Sequence, residues 1–187
     1  MQTFLVVVIV SSLAYLGTMF DNYFAFAARL IVTDHDRFRR LCWAQGLGVV
    51  ALVALAAGIG TLLAPIPLRW VGLLCVAPFS FALYAWRHRD APEEVHKRGG
   101  LTTFVTTLAL GGDNIAVWIP LLRANGVTRA VVTVVVFAFW EAVFLFSAQR
   151  LAKHPKVVAR GRQFSPHLLP VTYFLLGVLV LVECRTF

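Results

Sequence analysis

Two Asp-Asn pairs are the residues of this chain best suited to bind a cation. Asp21 and Asn22 lie in GTMFDNYFAFAARL, and Asp113 and Asn114 lie in LALGGDNIAVWIPLL. A third acid, Glu141, lies in the equally apolar stretch FAFWEAVFLF. Carboxylate and amide oxygens are the ligands that hard divalent cations such as Mn²⁺, Mg²⁺ and Ca²⁺ prefer. The two pairs and Glu141 therefore predict an oxygen-rich metal site.

Acids within apolar segments need a neutralising partner. A charge at the centre of a lipid-embedded helix costs about 2.5–3.5 kcal/mol, so three isolated charges would cost about 7–10 kcal/mol. Arg29 is the base nearest to Asp21, and it lies at a predicted helix end where its side chain can snorkel to water. The partner is therefore a proton, a bound cation or both, which makes Asp21, Asp113 and Glu141 candidates for proton coupling.

Other interpretations of these polar residues stay open from the sequence. Each Asp-Asn pair could be a helix-breaking cap that only holds the fold. Glu141 could bond a backbone or hydroxyl group inside a helix bundle. Cd²⁺ is softer than the ions above and usually requires sulfur, which Met19, two residues before Asp21, could offer as a thioether.

The composition predicts that these residues lie in a membrane. The chain has 187 residues, of which 59% are hydrophobic and 14% charged, with a mean hydropathy of +0.78. A soluble domain is usually about 25% charged. Apolar runs long enough to cross a membrane as helices occur at about 3–30, 42–63, 68–86, 101–122, 128–149 and 167–184. We therefore expect an all-α integral membrane protein with six transmembrane helices, the first of them too long for a cleaved signal peptide.

The basic residues predict the orientation of these helices. Loops 1–2, 3–4 and 5–6 and their flanks hold 13 of the 17 Lys and Arg residues, and the opposite side holds 4. By the positive-inside rule, these three loops are cytoplasmic and both termini are outside. The net charge of +8 does not indicate nucleic-acid binding, since the basic residues are confined to loops.

The spacing of the Asp-Asn pairs indicates an internal repeat within one transporter domain, residues 1–187. One pair falls in the first helix of each set of three spans, in repeats of about 1–90 and 98–187. Because three is odd, the second repeat is inverted relative to the first. Transporters built from inverted repeats bind substrate near the membrane midplane, often through interrupted helices. Gly111, Gly112 and Pro120 could interrupt the fourth helix and free backbone carbonyls.

With these features the chain resembles the cadmium-resistance transporters of the lysine-exporter superfamily. The resemblance covers nearly the whole chain and is most specific at GGDNIAVWIPL, residues 111–121, with FDNYF as its early counterpart. It implies an inner-membrane, proton-driven exporter of heavy-metal cations, of the Cd²⁺ or Mn²⁺ class. It implies no enzymatic activity and no cofactor other than the transported ion.

Two other functions and one assembly remain in view. An amino-acid or small-solute exporter would share the fold, although three membrane acids without a deep base disfavour an anionic substrate. A membrane thiol-disulfide carrier would need facing cysteines, and Cys42, Cys75 and Cys184 do not occupy the repeat positions. Small residues four apart, such as Ala54 and Gly58, permit close helix packing and are compatible with a homodimer.

Overall fold

A computed structural model of the chain describes residues 4–31, 35–87, 103–104, 107–108, 111–124 and 126–184. The regular secondary structure in these ranges is entirely helical, which confirms the all-α class. A 3₁₀ turn at Gly72–Cys75 joins the fourth and fifth helices. The helices are α1 Phe4–Thr18, α2 Phe20–Ile31, α3 His35–Leu62, α4 Leu68–Val71, α5 Val76–Arg87, α6 Gly112–Ala124, α7 Gly126–Leu151 and α8 Pro155–Glu183.

Three to five candidate membrane spans lie in the described part of the chain. Arg37–Leu62, Leu68–Arg87 and Gly126–Leu151 are long and apolar enough to cross a membrane, and two bent helix pairs could each be one more span. The predicted fourth span, 101–122, falls partly outside the described residues. Its described helix, α6, has 13 residues and is about 20 Å long, short of a hydrocarbon core of about 30 Å. Six spans therefore stay a prediction.

α1 and the Asn22–Ile31 part of α2 are bent by 54° relative to each other. The Thr18 hydroxyl donates to the carbonyl oxygen of Ala14 at 2.9 Å, and such side-chain bonding to the preceding turn bends helices. Met19 lies at the corner. Its N–H donates to the Tyr15 carbonyl and its own carbonyl accepts from Tyr23, both at 2.9 Å, so helical hydrogen bonding continues through the bend.

Two segments that the sequence analysis assigned to loops are helical. α3 begins at His35 rather than at residue 42. α8 begins at Pro155 and bends by 58° between Pro155–Phe164 and His167–Glu183, so the span predicted from 167 coincides with its second part. Hydropathy detects the part of a helix that lies in lipid, and a polar extension beyond the membrane escapes it. Proline is favoured in the first turn of a helix, because the N–H that it lacks would have no hydrogen-bond partner there. Pro155 is therefore compatible with the start of α8.

Helix packing surrounds an aromatic centre. α1 packs against α7, α3 against α6, and α5 against α8. The rings of Tyr15 and Trp118 stack with centroids 6.1 Å apart, and Phe137 packs against both at 5.4 and 4.8 Å. Large apolar side chains such as Trp43 on α3 and Phe139 on α7 are exposed. Exposed apolar faces of this kind suit contact with lipid.

Gly111 allows α6 to begin against α3, and we expect Gly111→Ala to destabilise the protein. A Cβ at this position would lie 2.4 Å from Leu52 Cδ2, and Leu52 is fully buried. Overpacking of this kind costs about 1–3 kcal/mol. The expected result is a melting temperature several degrees lower for the purified protein in detergent.

The adjacent glycine supplies the matched control for this prediction. A Cβ on Gly112 would have no atom within 4 Å, so Gly112→Ala should melt like the unaltered protein. Adding Leu52→Val to Gly111→Ala should recover part of the lost stability. Equal melting temperatures for the two glycine variants would contradict the packing account.

Candidate functional site

The asparagines of the two Asp-Asn pairs meet at one methionine. Asn114 Nδ2, in the first turn of α6, lies 3.4 Å from Met19 Sδ, and Asn22 Nδ2, on α2, lies 3.9 Å from the same sulfur. Asn114 is fully buried, and Met19 and Asn22 are nearly so. The structure thus brings together two of the five predicted ligands from opposite halves of the chain. Asn114 Oδ1 is buried without a hydrogen-bond partner.

Asp113 immediately precedes Asn114 at the start of α6. The Tyr173 hydroxyl, on α8, donates to Asp113 Oδ2 at 2.7 Å. The other oxygen, Oδ1, is buried and has no hydrogen-bond partner. A helix N-terminus favours a negative charge, and Oδ1 offers a lone pair to a cation or a proton.

Of the other two predicted acids, Asp21 and Glu141, the structure describes the side chain of Glu141 only. Asp21 lies in the first turn of α2, and its side chain is outside the described part of the structure. Glu141 is buried on α7, where the Tyr15 hydroxyl donates to Oε2 and Oε1 has no hydrogen-bond partner. Glu141 also lines a mostly apolar groove of about 650 Å³ between α3 and α7. The structure therefore shows the hydroxyl bond that was one alternative for Glu141, but only at one of its two carboxylate oxygens.

Aromatic side chains connect Glu141 to the cluster formed by Met19, Asn22 and Asn114. Tyr15 is one helical turn before Met19, and Trp118 is one turn after Asn114 on α6. The stacked rings of Tyr15 and Trp118 join these two turns. Glu141 is therefore bonded to a tyrosine that lies one helical turn before Met19, and it forms a second buried polar position.

A second buried pair resembles the Tyr15–Glu141 contact. The Thr107 hydroxyl lies 2.8 Å from Gln45 Oε1, in a bond between the second half of the chain and α3. Tyr15 is six residues before Asp21, and Thr107 is six residues before Asp113. In both contacts a hydroxyl from one half meets a long polar side chain from the other half. Gln45 Nε2 is buried without a hydrogen-bond partner.

Tyr15, Tyr173, Thr107 and Gln45 were missed by the sequence analysis, which considered acids, amides and sulfur. The sequence offered one signal for two of them: a hydroxyl residue, Tyr15 or Thr107, stands six positions before each aspartate of the two pairs. The described residues contain no group of three or more His, Cys, Asp or Glu side chains that could hold a metal ion. A cation in this region would therefore need amide, thioether, hydroxyl or backbone donors beside its carboxylates.

Several long apolar helices around buried acids and amides indicate a multi-pass membrane protein. A family model described as cadmium resistance transporter matches residues 15–187, and the chain belongs to this family. The predicted resemblance to the cadmium-resistance transporters is thereby confirmed. Comparison with curated proteins and with solved structures gave no match.

Proposed function

We propose that this protein exports a divalent metal ion, of the Cd²⁺ or Mn²⁺ class, in exchange for protons. The observation that carries the proposal is the meeting of Asn22 and Asn114 at one buried point, next to Asp113 with its unpartnered oxygen. Buried polar groups are normally hydrogen-bonded. A bound ion would give a partner to both of these oxygens, which lie on adjacent residues of a transporter.

The proposed site divides into ligands and a coupling group. Asp113 and Asp21 supply negative charge, and Asn114 and Asn22 supply amide oxygens, which together suit a divalent cation. A proton and a cation compete for the same carboxylate, so protonation of these acids from outside releases the metal. Glu141, which is bonded to Tyr15 rather than to the asparagines, takes up a proton without binding the ion.

Two features of the packing support six spans in two inverted repeats. α1 of the first half packs on α7 of the second, and α6 of the second half packs on α3 of the first. The side-chain contacts follow the same pattern. Tyr15 of the first half bonds Glu141 of the second, and Thr107 of the second half bonds Gln45 of the first. A two-fold axis in the membrane plane between residues 1–90 and 98–187 would produce both features.

The proposed orientation gives the groove a role. Its lining extends from Glu141 to Arg39 on α3 and Gln149 on α7, at the helix ends predicted to be cytoplasmic. A proton accepted at Glu141 can leave along this side. The metal enters from the cytoplasm and leaves outside, across the plasma membrane in which both termini face outward.

Flux in proteoliposomes tests this function. We expect Cd²⁺ or Mn²⁺ to move when a pH gradient is imposed, and the flux to collapse when the gradient is dissipated with a protonophore. Zn²⁺, Ca²⁺ and Mg²⁺ define the selectivity, and empty liposomes give the leak. Movement of amino acids without movement of any of these ions would overturn the proposal in favour of a solute exporter.

A further inference from the structure

We infer that Met19 is a ligand of the transported ion and makes the site selective for soft cations such as Cd²⁺ over hard ones such as Mn²⁺ and Mg²⁺. The inference rests on the proposed function and names the side chain that decides its substrate class. The Met19 sulfur lies between two amide groups, 3.4 Å from Asn114 Nδ2 and 3.9 Å from Asn22 Nδ2.

The amide contacts to Met19 are weak as they stand. A thioether is a poor hydrogen-bond acceptor, and here it faces the NH₂ groups of two buried asparagines while Asn114 Oδ1 has no partner. Rotating the Asn114 amide by half a turn exchanges its nitrogen and oxygen. The carbonyl oxygen then faces the sulfur, an arrangement that is favourable when a cation lies between the two atoms.

The spacing of these atoms suits ligands of one ion. Metal–ligand bonds of about 2.0–2.6 Å place neighbouring donor atoms about 3–4 Å apart. Rotation of the Asn114 amide places its carbonyl oxygen where Nδ2 now lies, 3.4 Å from Met19 Sδ and within that interval. The same rotation of Asn22 places its oxygen at the position of Nδ2, 3.9 Å from the sulfur and at the upper end of the interval. Asp113 adds a buried carboxylate from the residue next to Asn114.

The sulfur determines which ion gains from this arrangement. Soft ligands such as thioethers favour soft metals, whereas Mn²⁺ and Mg²⁺ favour oxygen. Only the first half of the chain supplies this sulfur. Asp21 and Asp113 are 92 positions apart, and the same offset pairs Met19 with Gly111, which has no side chain and abuts Leu52. One thioether therefore joins a set of donors that is otherwise repeated in the two halves.

A methionine that only fills space predicts a different outcome. Met is a common gap-filler in cores, and leucine replaces it with little effect on packing. If Met19 merely packs against the asparagines, Met19→Leu should transport every ion as before. The ligand role predicts instead a loss confined to soft cations.

Transport by Met19→Leu separates these roles. We expect Cd²⁺ flux to fall about tenfold or more, the usual scale for disturbing a metal site, while Mn²⁺ flux stays within about twofold. Cys75→Ala, which removes a buried sulfur elsewhere on the chain, should leave both fluxes unchanged. Unchanged Cd²⁺ flux in Met19→Leu, or equal loss of both ions, would overturn the inference. If the unaltered protein moves neither ion, the proposed function itself fails.

A spectroscopic measurement tests binding without transport. Met1 and Met19 are the two methionines of the sequence, so selenomethionine labelling places one selenium at the site. X-ray absorption at the cadmium edge should detect a selenium neighbour in the labelled protein and none in labelled Met19→Leu, which retains Met1. Cadmium bound with oxygen neighbours alone in both proteins would refute a ligand role for Met19 and leave the exporter proposal intact.

Discussion

Replacing Asp113 with asparagine is expected to lower metal flux about a hundredfold or more. A unit charge pair about 4 Å apart at an effective dielectric constant of about 20 interacts by about 4 kcal/mol, or about a thousandfold in affinity. Desolvation of the ion offsets part of this attraction. The neutral amide keeps an oxygen but removes the charge that a divalent cation requires in an apolar surrounding.

The fold of Asp113→Asn should survive. Asparagine has nearly the same volume as aspartate, and its amide oxygen can accept the hydrogen bond that Tyr173 donates at 2.7 Å. Removing a buried charge also removes its desolvation cost. We therefore expect a normal elution profile and a melting temperature equal to or above that of the unaltered protein.

Flux of Cd²⁺ and Mn²⁺ into proteoliposomes, together with the melting curve, checks this expectation. Glu183→Gln is the matched control, since it neutralises an acid at the far end of α8 and should transport normally. Tyr173→Phe removes the hydroxyl that positions Asp113 and should give an intermediate loss. Normal flux in a folded Asp113→Asn protein would remove Asp113 from the site and with it the central ligand of the proposal.

The sequence predicted the class of the fold and part of the site for one physical reason. Polar residues inside long apolar segments are costly, so Asp113, Asn114 and Glu141 stood out, and all are buried. The repetition of the Asp-Asn pair suggested one shared site, and the structure places Asn22 and Asn114 at the same methionine. Six spans and proton coupling stay predictions.

The partners of the acids could not be predicted, because they depend on tertiary packing. Tyr15 and Glu141 are 126 residues apart, and Tyr173 and Asp113 are 60 apart. A tyrosine or threonine in an apolar helix does not reveal its partner, since a threonine such as Thr18 can bond its own backbone. The helical segments that precede residues 42 and 167 were missed because hydropathy does not report the polar ends of helices.

Glu141→Gln is expected to abolish transport driven by a pH gradient while retaining exchange of metal for metal. Glutamine keeps an oxygen to accept the Tyr15 hydroxyl but cannot carry a proton. Thr107 already bonds a glutamine, Gln45, in the corresponding contact. A carboxamide is therefore compatible with this kind of buried pair, and the variant should fold.

Two assays on the same vesicles distinguish a proton carrier from a ligand. The first measures Cd²⁺ uptake driven by an imposed pH gradient, and the second measures exchange of labelled for unlabelled Cd²⁺ without a gradient. A proton carrier at Glu141 predicts loss of the first and survival of the second. Loss of both would make Glu141 a metal ligand, and retention of both would exclude it from coupling.

The two hydroxyl contacts provide the control for this experiment. Tyr15→Phe removes the hydrogen bond to Glu141 and should alter how flux depends on external pH, because the carboxylate loses its partner. Thr107→Val removes the corresponding bond to Gln45, which does not titrate, and should leave the pH dependence unchanged. A change of equal size in both variants would mean that the two contacts serve packing alone, and that the proton is carried by an acid other than Glu141.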